Sequence, residues 1–171
     1  MKITKVELSG KGGLKVTYMD EDNNKVDFEG VNLVHKDFKD ALNKLKPFLV
    51  DIYGLPEKLQ LNGNLLSEQF VDLSRISVKK VEYKGNQIIL YGSQTTSLGV
   101  SPVKTPPVSS NIDECDYEHL EDLACAVDGV ISEAELYINE DKWAVIQSSI
   151  DYNGVDGSCV PFGEETAKNQ E

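Results

Sequence analysis

Between two blocks of alternating residues lies one stretch with a different period, His35 to Tyr53 (HKDFKDALNKLKPFLVDIY). Its apolar residues Phe38, Ala41, Leu42, Leu45, Phe48, Leu49 and Ile52 recur every three or four positions, which places them along one face of a helix. A single apolar stripe must be buried against something, and the segments on either side of it are strand-like. The spacing therefore predicts an α+β fold. A mostly antiparallel sheet, built from a meander and a hairpin, carries one principal helix, and an acidic helical part follows. Asp37 is the expected N-cap, with Asp40 in the first turn. Pro47 lacks the N–H for an i−4 bond, so it should kink the helix or start a second short one, and Gly54 and Pro56 should end it.

The meander comes first. Ile3, Val6 and Leu8 lead into a Gly10–Gly13 turn, then Leu14, Val16 and Tyr18 alternate with polar residues, and Val26 and Phe28 follow the polar run 20–24. Half-polar strands of this kind suit an antiparallel sheet with one face in water. Residues 57–75 follow no single period. Ile76, Val78, Val81 and Tyr83, the Lys84–Gly85–Asn86 turn and Ile88–Tyr91 then predict a hairpin.

Ser93 to Asn111 holds eight Ser/Thr, three prolines and a single charge, Lys104. That composition predicts a linker or a long ordered loop. Beyond it, Leu120, Leu123, Ala124, Val127, Ile131, Ala134 and Ile138 define a helix over 117–138, with Gly129 a point of division. Glu114, Glu118 and Asp122 fall on its other side at i, i+4, where like charges repel mildly. Trp143, Val145, Ile146 and Ile150 suggest a last strand or docking segment. The expected organisation is an α+β domain (1–92), a Ser/Thr/Pro-rich loop or linker (93–112), an acidic helical part packed on or appended to it (113–162), and a disordered tail (163–171).

Charge sharpens that division. Residues 1–112 carry 15 basic and 13 acidic side chains, whereas residues 113–171 carry 2 and 16, within a net charge of −12. A surface so acidic repels free nucleic acid and suits basic partners or cations. No apolar run reaches the ~18 residues of a membrane span, and the alternating N-terminus is not a secretory signal. Cys115, Cys125 and Cys159 have spacings that fit neither a zinc site nor a disulfide framework, and His35 and His119 are the two histidines.

Catalytic and metal motifs are incomplete. The run Asp128–Leu136 matches the second half of an EF-hand calcium loop, but Ala124 and Ala126 occupy the first and third ligand positions and offer no side-chain oxygen. Asp151–Gly157 lacks a closing Glu and is more simply two turns. Cys159 has no nearby cation to lower its pKa. No catalytic residue, metal or cofactor is therefore expected. Three sets of binding residues remain. Ser93, Thr95, Thr96, Lys104 and Thr105 could hold a small anion. Glu114, Glu118, Glu121 and Asp122 form an acidic face for a partner, and Lys79, Lys80, Tyr83 and Lys84 could contact single-stranded nucleic acid.

The run His35-x-Asp37-Phe38-x-x-Ala41-Leu42-x-x-Leu45-x-Pro47 after a β-meander resembles a group of small uncharacterised proteins carried by phages and prophages of gut bacteria. Lys104–Thr105–Pro106 and Glu133–Ala134–Glu135-x-Tyr137–Ile138 are similar to later parts of that group, and residues beyond about 150 depart from it. The resemblance implies a setting, a bacterial host cytoplasm, and attaches no enzymatic residues. The expectation is a phage-encoded, non-enzymatic binding protein acting stoichiometrically, with counter-defence as a role in that setting. It would sequester a small nucleotide-like ligand or block a basic host surface, with or without homo-oligomerisation. The alternatives are an accessory of phage DNA recombination or replication that binds single strands, and a virion or assembly component.

Overall fold

The computed structural model describes residues 1–55 and 72–144. The meander forms β1 (Lys2–Leu8), β2 (Leu14–Met19) and β3 (Lys25–Gly30), each antiparallel to the next. Short polar side chains close its turns. The Ser9 hydroxyl accepts from the Gly13 amide at 3.0 Å, and an Asp20 carboxylate oxygen accepts from the amides of Asp22 and Asn24 at 2.9 and 2.8 Å. After the helices come β4 (Ile76–Lys84), β5 (Gln87–Thr96), β6 (Gly99–Lys104) and the short β7 (Val108–Ser109). Among the described residues they make one seven-stranded antiparallel sheet in the order β3-β2-β1-β4-β5-β6, with β7 paired to the start of β5.

Two β-bulges fix which side chains are buried. They lie between Ile3 and Lys5 in β1 and between Val78 and Lys80 in β4. Each resets the alternation, so Ile3 and Val6, and likewise Val78 and Val81, share the core face although they stand three apart.

The helical layer begins with α1 (Lys36–Lys44) and α2 (Lys46–Tyr53). The N-cap is His35 rather than Asp37. Its Nδ1 accepts from the Asp37 amide at 3.3 Å, which leaves Asp37 in the first turn. Leu45 ends one helix and opens the next, and Pro47 lies at the start of α2, where a missing amide breaks no helical bond. Gly54, at φ 68, supplies the left-handed cap that stops α2. Phe38, Leu42, Leu45 and Leu49 are buried beneath this pair, as their spacing predicts.

One segment differs from the sequence reading. Residues 93–112 are neither linker nor loop: they finish β5 and supply β6 and β7, which share one edge of β5. Prolines are tolerated there because an edge strand leaves every second amide unused. Thr105 bridges the interruption at Pro106 and Pro107, its amide donating to Leu90 O and its Oγ1 accepting from the Leu90 amide, both at 3.0 Å.

Of the two arrangements expected for the acidic part, packed on the domain or appended to it, the described residues show the first. Helix α3 (Leu120–Asn139) runs unbroken through Gly129 and buries Leu120, Leu123, Val127, Val130, Ala134 and Tyr137 against α1 and β1. Each large apolar side chain so covered is worth about 1.5–3 kcal/mol, so the sheet and α3 form one core. The Tyr137 hydroxyl donates to Asn32 O, and the absent side chain of Gly30 leaves room for the ring. The chain then turns at Asp141 (φ 54), Trp143 bridges to Val34, and the Ala144 amide donates to Leu33 O at 2.8 Å. Lys142 locks this return by pairing with Asp37 of α1 at 2.9 Å and Glu133 of α3 at 2.8 Å.

Residue 72 begins a short 3-10 turn, Leu73–Arg75, where the ambiguous 57–75 segment ends. The rest of that segment, the suggested strand residues Val145, Ile146 and Ile150, the Asp151–Gly157 turns, Cys159 and the tail lie outside the described residues. Among the described residues no helix is long and apolar enough to cross a membrane.

Candidate functional site

The acidic residues occupy an ordered surface. Asn111 caps a 3-10 turn, Ile112–Glu114, its side chain accepting from the Asp113 amide at 3.2 Å. The Tyr117 hydroxyl then donates to Asp51 Oδ2 of α2 at 2.9 Å. Burial, followed by the Asp51 carboxylate, pushes the Tyr117 phenol far above its ordinary value, so it remains a donor. These anchors fix the approach to α3, which starts at Leu120 and not at Tyr117.

The later start changes how the acidic face is built. Glu114 lies on the 3-10 turn and Glu118 in the connection, so neither repels a neighbour along a helix. Glu121 and Asp122 lie in the first turn of α3, where negative charge is favoured by the helix dipole. Asp113, Asp116 and Asp128 join them at the surface. Among the described residues no ion pair engages any of these seven carboxylates. The EF-hand-like run 128–136 lies wholly within α3, whose continuous helical backbone cannot wrap a cation. Cys125 is exposed on the same helix, and Cys115 accepts the Tyr117 amide at 3.4 Å.

The hydroxyl-rich set does not converge on a ligand. Ser93 is buried and its hydroxyl is paired with that of Ser77 at 2.8 Å. Thr105, at 2% exposure, is committed to Leu90. Thr96 serves its own hairpin turn, bonding Gly99 O and the Leu98 amide, while Thr95 is exposed beside it. Lys104 lines a depression next to Tyr91.

The nucleic-acid set is divided between two faces. Tyr83 packs against the core, where burial and then Asp128 of α3 raise its pKa. Lys80 lies on the opposite, open face, directly across from Tyr91, with its Nζ 3.5 Å from the ring centroid. Lys79 is exposed at the bulge and Lys84 at the end of β4. Tyr91 is thus the aromatic residue associated with the lysines, and strand register, invisible in local sequence, is what brings it there.

Among the described residues no group of His, Cys, Asp or Glu is arranged to hold a metal ion. No family model, curated protein or solved structure matches this chain.

Proposed function

We propose that this chain is a non-enzymatic binding protein that acts stoichiometrically, docking its acidic surface on a basic face of a partner protein. The observation that carries this reading is the contrast in charge pairing. On the sheet, Lys5, Lys15, Lys25 and Lys80 each have a carboxylate within 3.3 Å. Around the start of α3, Asp113, Glu114, Asp116, Glu118, Glu121 and Asp122 are exposed and unpaired among the described residues. Concentrated negative charge costs self-repulsion in the free protein, and a basic partner relieves it while steering association. The resemblance to phage and prophage proteins supplies the setting, a bacterial cytoplasm in which such a protein blocks a host surface.

The test is capture from bacterial host extract on the immobilised wild-type chain and on a variant carrying E114Q, E118Q, E121Q and D122N. A basic protein should be retained by the wild type, released by salt, and retained about tenfold less by the variant. Each replaced side chain is exposed, so the thermal transition should move little. If no retained protein depends on those four carboxylates, the docking surface lies elsewhere.

A further inference from the structure

Several charges on the open face of the sheet are paired, Lys5 with Glu7 and Lys80 with Glu82 among them. Lys79 and Lys104 have no ion-pair partner among the described residues. Both border a depression of about 410 Å³ whose lining includes Glu7, Lys80, Tyr91 and Pro102. Its volume lies within the roughly 300–1,000 Å³ of small-molecule sites.

Tyr91 arranges the cations. It lies opposite Lys80 of β4 and opposite Lys104 of β6 in the strand register. The Lys80 ammonium sits 3.5 Å from the ring centroid and the Lys104 ammonium 5.3 Å from it, attracted by the negative face of the ring. The Tyr91 hydroxyl is held in turn by Glu82 at 2.8 Å. Two ammonium groups are thus gathered around one ring, with Lys79 at the rim. Glu7 is already neutralised by Lys5 at 2.8 Å, and Lys80 by Glu82 at 3.0 Å. Among the described residues the depression is left with two positive charges that no ion pair compensates, in a molecule whose net charge is −12.

We infer that this depression binds a small phosphorylated molecule of nucleotide size. Lys79 and Lys104 would take the phosphate in charge-assisted hydrogen bonds, and Pro102, in the same lining, offers an apolar contact for the rest of the molecule. A long nucleic-acid strand is the poorer occupant. It would extend beyond this patch into the field of a strongly acidic protein, whereas a small anion samples only the local charge, within the ~8 Å over which salt leaves interactions unscreened. This inference stands apart from the acidic docking surface and does not depend on it.

Isothermal titration of the full chain with adenosine 5′-monophosphate at low salt tests it. Saturable one-to-one binding is expected, with about tenfold weakening in each of K79Q and K104Q. K11Q, in the exposed β1–β2 turn, serves as the control and should bind as the wild type does. Absence of saturable binding, or equal weakening by K11Q, would overturn the site. Tighter binding of a short oligothymidylate than of the monophosphate at physiological salt would also overturn it, in favour of a strand.

Discussion

Thr105 illustrates a side chain standing in for backbone. Pro106 and Pro107 interrupt the edge of the sheet, yet the Leu90 amide keeps a partner because Thr105 Oγ1 accepts it at 3.0 Å. Replacing Thr105 with Val keeps the shape and removes the acceptor, leaving a buried donor unsatisfied. Urea denaturation should show a loss of about 1–3 kcal/mol for T105V and far less for T105S; equal losses would refute the hydrogen-bonding role. Lys142 acts at the same scale, and its effect depends on pH. Its hydrogen bond and charge, with a smaller share from His35, hold Asp37 below the ordinary 3.8, while Glu133 and then Asp37 raise Lys142 above 10.5. A lowered carboxylate stabilises the fold above its unfolded pKa and ceases to do so as pH falls through the folded one. A raised ammonium does the reverse, losing its contribution as pH climbs through its folded pKa. The clasp is therefore complete between 3.8 and 10.5 and fails on acidification below that window. Hydrogen exchange should show the Ala144 amide losing protection in acid, and K142M should show the same loss at neutral pH. Unchanged protection in K142M would mean that Trp143 alone holds the return.

At the level of elements, α3 carries the clearest consequence. Gly129 lies in its middle, and a Cβ added there would meet nothing within 4 Å. G129A should therefore stabilise the protein by about 0.5–1 kcal/mol, the entropy that glycine forfeits in a helix. A destabilised G129A would indicate that the helix does divide there. How far these elements were legible follows from what set each of them. Regular alternation marks β2 and β3, β1 keeps its apolar face only through its bulge, and the three-to-four spacing marks α1, α2 and α3, because in each case burial of one face decides the outcome. The start of α3 is not legible in the sequence because the apolar spacing runs back to Tyr117, whereas that residue lies outside the helix with its hydroxyl bonded to Asp51. Ser93–Asn111 reads as a linker or a long ordered loop because proline and serine weaken strand patterns; its prolines are accommodated by an edge position, which only the assembled sheet defines. The gathering of Lys80, Tyr91 and Lys104 was likewise beyond local reading. They lie 11 and 13 residues apart in sequence and meet only through the register of β4, β5 and β6.

Over the whole molecule, the charge boundary seen in the sequence is not a domain boundary. The buried face of α3 completes the core over α1 and β1, while its first turn and the segment leading into it hold carboxylates that are exposed and, among the described residues, outside any ion pair. One helix therefore serves stability on one side and, in the function proposed here, recognition on the other. Substitutions should divide accordingly: those at Leu123 or Val127 act on folding, those at Glu121 or Asp122 on binding. The most direct test of the stoichiometric claim is native mass spectrometry of the complex captured from host extract. An equimolar complex that dissociates as salt rises, with the partner's mass unaltered, is the predicted result. A partner recovered with a changed covalent mass, or an association indifferent to salt, would contradict it.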